Sequence, residues 1–163
     1  MRALVNVLWF ASLSTVGIAA VHAGDRASGR AAAAQQQVQS ALDGMERAAN
    51  AHDTDRYMAF FAHRPELVFA FNGEVIQGWD ALHAKQLEWW QHGKSDAVYS
   101  ETAKARFMPL ADDLIVTTSP LAARRTLADG TTSASHFVVT SIWRKLPQGW
   151  RVVYAHESWA ASH

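Results

Sequence analysis

The stretch Thr140-Ser-Ile-Trp-Arg-Lys-Leu-Pro-Gln-Gly-Trp-Arg-Val-Val-Tyr-Ala-His-Glu-Ser158 decides the fold. Two runs rich in Val, Ile, Trp and Tyr flank the turn residues Leu146-Pro-Gln-Gly149, which predicts a long β-hairpin closing a sheet. Alternation along the second strand puts Trp150, Val152, Tyr154, His156 and Ser158 on one face. Arg151, Val153, Ala155, Glu157 and Trp159 fall on the other. The first face joins large apolar residues to a Tyr, a His and a hydroxyl, so it is the expected wall of a pocket.

Working back from the hairpin, strands are expected over 97–108, 114–127 and 133–145, with Pro120 marking a bulge or an edge. Upstream, Val38, Leu42, Met45 and Ala49 recur at helical spacing in a first helix from Gln35. Asp53 is a natural N-cap for a short second helix through Ala62. Asn72-Gly73 joins two short strands, 66–71 and 74–77, and a third helix runs from Trp79 to His92. The order specifies an α+β domain with its helices gathered against one curved antiparallel sheet.

Residues 1–23 read as a signal peptide, with Arg2, an apolar run from Ala3 to Ala20, and small residues around a cleavage point after Ala23. The chain is therefore expected to be exported, periplasmic or secreted, with no membrane association after cleavage. Gly24 to about Gln37 is rich in Ala, Gly and Gln, so residues 24–34 are expected to form a flexible linker, and 35–160 the domain. The chain lacks cysteine, so stability has to come from an ordinary core rather than disulfides. Losing Arg2 from 15 basic side chains, against 15 acidic ones, leaves a formal charge of −1. No basic stripe exists, which argues against a nucleic-acid partner.

With Thr140, Trp143, Gly149-Trp150, Val153 and the His156 and Ser158 that follow Trp150 by six and eight residues, the chain resembles the nuclear transport factor 2-like superfamily, in its SnoaL-like branch. It is also similar to the association domain of calcium/calmodulin-dependent protein kinase. His52-Asp53, Tyr57, Asn72-Gly73 and Gly78 sit where that superfamily places its helix break, hairpin and next helix. The resemblance implies a cone-shaped, curved antiparallel sheet wrapped around three N-terminal helices, with a cavity at its open end, and a homodimer formed through the outer sheet face. In the kinase domain an arginine follows the threonine matched to Thr140; here Ser141 stands there, which argues against a charged anion pocket.

Candidate site residues follow from residue chemistry and this placement. His156 suits acid–base work near neutral pH, with Tyr154 and Ser158 orienting it or a ligand. Tyr57 on the second helix is the other catalytic candidate. Thr140 and His136 share one parity on their strand, and Arg124 and Arg125 point to opposite faces, with Arg124 taken as the ligand-facing one. No His-x-x-x-His pair, nucleotide-binding glycine loop or redox dithiol occurs, so neither metal nor cofactor is expected. Glu101 is the one acidic residue well inside a long strand, and its facing is not readable from Ser100 and Thr102. Binding of a small, largely apolar molecule without transforming it is the expected function, and no acidic residue reads as the cavity carboxylate that a steroid-isomerase-like mechanism needs. Isomerase, cyclase or dehydratase chemistry through His156 and Tyr57, and homo-oligomeric assembly, are the alternatives.

Overall fold

A computed structural model of the protein describes residues 17–127 and 129–160, with side chains from residue 28 onward. The first helix, α1 (Gly17–Asn50), is continuous. It runs through residues 24–34, where a flexible linker was expected, because that stretch is dominated by alanine, the strongest helix former. Residues 1–16 of the expected signal peptide lie outside the described residues. None of the described helices is long and apolar enough to cross a membrane.

The C-terminal half of α1 buries Val38, Ala48 and Ala49, while Leu42 and Met45 pack against the core. Gly44 permits a close approach: a Cβ there would lie 2.5 Å from the ring of Phe60. The helix ends where His52 adopts φ 50°. Asn50 then clamps the neighbouring strand, donating to the Tyr99 carbonyl (2.9 Å) and accepting from the Tyr99 amide (2.7 Å).

Asp53 caps α2 (Thr54–Met58) by accepting from the Arg56 amide at 3.0 Å. This meets the expected cap, although the helix is shorter than expected. Asp53→Ala is expected to cost about 1 kcal/mol, read from the urea midpoint of unfolding. The strands β1 (Val68–Phe71) and β2 (Glu74–Gln77) turn at Asn72-Gly73, with φ of 46° and 83°. Helix α3 (Trp79–Trp89) buries Leu82 and Gln86. Its start is held on α2 by the Trp79 indole, which donates to the Met58 carbonyl and lies between the rings of His63 and His83.

The expected strand over 97–108 is two strands, β3 (Val98–Glu101) and β4 (Arg106–Ala111). Both pair with β5 (Leu114–Thr126), β3 along its second half and β4 along its first. β6 (Thr132–Leu146) and β7 (Gly149–Trp159) form the expected hairpin. The sheet order is β2-β1-β7-β6-β5-β3, with β4 also on β5. One pairing departs from the expected antiparallel sheet: β1 runs parallel to β7, so the curved, unclosed sheet is mixed. The α+β cone architecture itself is as expected.

The concave face of the sheet and the helices enclose the core. Trp143 is fully buried at its centre among Met58, Ile115 and Val152, and its indole donates to the Thr117 hydroxyl at 3.0 Å.

Candidate functional site

The site is shaped by one irregularity in β7. Ile142 pairs with Tyr154, but the next residue, Trp143, pairs with Val152, so Val153 is an extra residue in the ladder. The other edge of β7 shows why the strand bends there. Val152 bridges to Phe61, and pairing with β1 resumes at Tyr154 with Val68, residues 62–67 looping out between. A bulge of this kind inverts the alternation of side chains beyond it. Trp150 and Val152 point into the core before the bulge; Ala155, Glu157 and Trp159 point inward after it.

The expected pocket wall is therefore split. Tyr154, His156 and Ser158 turn to the convex face, and His156 and Ser158 are exposed. Thr140 lies opposite His156, and His136 and Arg124 are exposed on the same outer side. Of the residues read from the sequence as site candidates, Tyr57 alone reaches the cavity. Arg125 lines its rim in place of Arg124.

The cavity measures about 200 Å³ between α1, α2, α3 and the concave sheet. For scale, an engineered apolar cavity of ~150 Å³ accepts benzene. Leu42, Met45 and Ala49 of α1 form one wall, and Trp89 and Trp90 at the end of α3 another. The floor is a row of paired residues running across four strands, Phe71, Glu157, Val139 and Ser119. Phe137 and Trp159 stack at 4.3 Å beside it. Tyr57 is wedged against Phe61 and Trp90, with ring centroids 5.4 and 5.0 Å away. Trp90 in turn donates its indole N–H to the Tyr99 hydroxyl at 3.0 Å.

Glu157 is the chemically unusual group here. Burial among these rings pushes its carboxyl up to about 7, against an opposing hydrogen bond from the Trp159 indole to Oε1 at 2.6 Å. Tyr57 is held far above the ordinary phenol range, first by burial and then by the charges of Glu157 and Tyr99. The hydroxyl is thus a proton donor at every working pH, facing a carboxyl poised to gain or lose a proton near neutrality. At the mouth, Glu46 of α1 is also raised, by burial and then by the neighbouring carboxylates Glu101 and Asp43, with Arg47 opposing. Glu101, unassigned from sequence, faces this mouth.

Sequence reasoning missed Glu157 because it follows parity, and parity fails at Val153. The available signal was the company Glu157 keeps: an acid between Ala155 and Trp159, the only charge on an otherwise apolar alternation beyond Arg151.

The SnoaL-like domain family matches residues 38–162, from the buried half of α1 through β7. The chain belongs to the SnoaL-like domain family. Solved structures of similar fold include proteins described as nuclear transport factor 2-like. A superfamily protein from Salmonella enterica subsp. enterica serovar Typhimurium str. LT2 aligns with TM-score 0.70 and 19% identity over 81% of this chain and 94% of that one. A calcium/calmodulin dependent protein kinase II association domain-like protein from Xanthomonas campestris aligns with TM-score 0.63 and 16% identity, over 77% and 87% of the two chains. A ketosteroid isomerase-like protein from Erwinia carotovora atroseptica SCRI1043 aligns with TM-score 0.63 and 17% identity, over 78% and 96%. At these identities the likeness concerns the fold. No curated protein matches this chain.

Proposed function

We propose that this SnoaL-like domain binds a small, largely apolar carbonyl compound in its cavity and transfers a proton on it through Glu157. The observation that carries this is a carboxyl group placed in an apolar, aromatic-lined cavity with its proton affinity raised to near neutrality. In the ionised form Glu157 takes a proton from the carbon next to the carbonyl. Tyr57 donates a hydrogen bond to the carbonyl oxygen as negative charge develops on it. Returning the proton to another carbon of the same molecule completes an isomerisation, and no cofactor is called on. The fold neighbour from Erwinia described as ketosteroid isomerase-like fits this class of chemistry.

The test uses 1-tetralone, a bicyclic ketone with exchangeable hydrogens beside its carbonyl. Incubated in D2O with the protein, it is expected to gain deuterium faster than in buffer, followed by mass spectrometry. Tyr57→Phe is expected to slow that exchange by about a hundredfold, the worth of one donor to a developing oxyanion. Exchange no faster than in buffer, for this ketone and for a panel of apolar ketones of similar size, overturns the proposal.

A second reading, self-association, is favoured by the convex sheet face. Met108 and Val138 are 55% and 38% exposed there, next to Val116, Ile142 and Tyr154. We propose that this face joins two copies into a homodimer. Export of the mature chain, argued from Arg2 and the apolar run after it, is likewise proposed.

A further inference from the structure

Among the described residues, one fully buried polar atom of the cavity lining lacks a hydrogen-bond partner. Ser119 is 5% exposed, and its Oγ is buried without a hydrogen bond. An unpaired buried hydroxyl costs roughly 1–3 kcal/mol, and native interiors keep few of them. Its neighbour on the same face of β5 shows the ordinary solution: the Thr117 hydroxyl accepts from the Trp143 indole. Thr54 also has an unpaired buried hydroxyl, but it lies at the start of α2 and does not line the cavity. Ser119 does line it.

The position of Ser119 relative to Glu157 is fixed by the ladder. Ser119 pairs with Val139, and Val139 pairs with Glu157, so all three stand in one row on the concave face. Two strand spacings separate the outer backbones, about 10 Å. The curvature of the sheet inclines both side chains toward the same space. Val139 stands between them in the row, and Leu42 and Met45 of α1 add apolar surface to the same cavity. The one cationic residue of the lining, Arg125, is exposed at the rim, so an anionic group beside Ser119 would be buried without a counter-charge.

We infer that Ser119 anchors the far end of the ligand, which is an elongated, uncharged, mainly apolar molecule with one oxygen function at Glu157 and Tyr57 and a second, a hydroxyl or carbonyl, at Ser119. The inference rests on the proposed use of the cavity and adds the class of molecule it accepts. A ligand of this kind supplies the partner that Ser119 lacks, and its two polar ends fix which carbon faces Glu157.

The test compares 1-tetralone with 6-hydroxy-1-tetralone, which carries a hydroxyl at the opposite end from its carbonyl, by calorimetric titration of the full protein. The hydroxylated ketone is expected to bind about tenfold more tightly, the worth of one buried hydrogen bond. Ser119→Ala is expected to erase that preference, with the unfolding temperature unchanged or slightly raised. Equal binding of the two ketones to the unaltered protein, or a preference that survives in Ser119→Ala, overturns the role of Ser119 and leaves the proposed chemistry at Glu157 standing. Failure of 1-tetralone itself to bind removes both.

Discussion

Replacing Glu157 with glutamine is expected to slow deuterium exchange into 1-tetralone by at least about a hundredfold while making the protein more stable at pH 8. General-base groups contribute roughly 10²–10⁴ in rate, and glutamine cannot accept the proton. The stability gain follows from the same burial. An unfolded chain releases this proton near pH 4.5, whereas the folded protein holds it to about pH 7. Between those values the native state binds the extra proton, so stability is highest below about pH 4.5 and falls as pH rises through the window. Above about pH 7 the folded protein carries a buried carboxylate at a cost on the order of 3 kcal/mol at most. The amide keeps an oxygen for the Trp159 indole and removes that charge. Urea unfolding at pH 5 and pH 8 reads the effect: the gain from Glu157→Gln appears at pH 8 and is small at pH 5. A gain equal at both pH values would contradict a raised carboxyl. Lost exchange together with gained stability is the signature of a group held for chemistry rather than for folding.

Trp143→Ala is expected to cost about 4 kcal/mol or more, a large share of the ~5–15 kcal/mol that holds a domain of this size together. Trp143 is fully buried in the core cluster with Met58, Ile115 and Val152, which can fill only part of the cavity left behind. The change also strips the Thr117 hydroxyl of its donor at a site that is 1% exposed. Trp143→Phe keeps part of the ring and separates these terms, with an expected cost of about half. The denaturant midpoint of each variant measures both, and a cost below about 1 kcal/mol for the alanine variant would show that Trp143 is not central to the core.

Local chemistry made much of the fold legible. Leu146-Pro-Gln-Gly149 marked the β6–β7 hairpin, Asn72-Gly73 the β1–β2 turn, and Asp53 the cap of α2, because each acts within a few residues of itself. What stayed hidden depends on partners distant in sequence. The parallel pairing of β1 with β7 joins residues more than eighty apart, and the split between β3 and β4 is set by how each grips β5. The site suffered most. Val152-Val153 carries no glycine or proline to announce a bulge, yet the bulge decides that Glu157, not His156, faces the cavity. Tyr57 was legible because helical spacing continues undisturbed across α2.

The account turns on the protonation of one side chain, and this can be observed directly. With glutamate labelled at its side-chain carboxyl carbon, and Glu157→Gln used to assign the signal, the ¹³C resonance of Glu157 can be followed from pH 4 to pH 9. The structure predicts a midpoint of about 7 for that resonance, well above the ordinary glutamate range. A midpoint near 4.5 would mean a solvated carboxylate, and would contradict both the buried position of Glu157 and its proposed part in moving a proton.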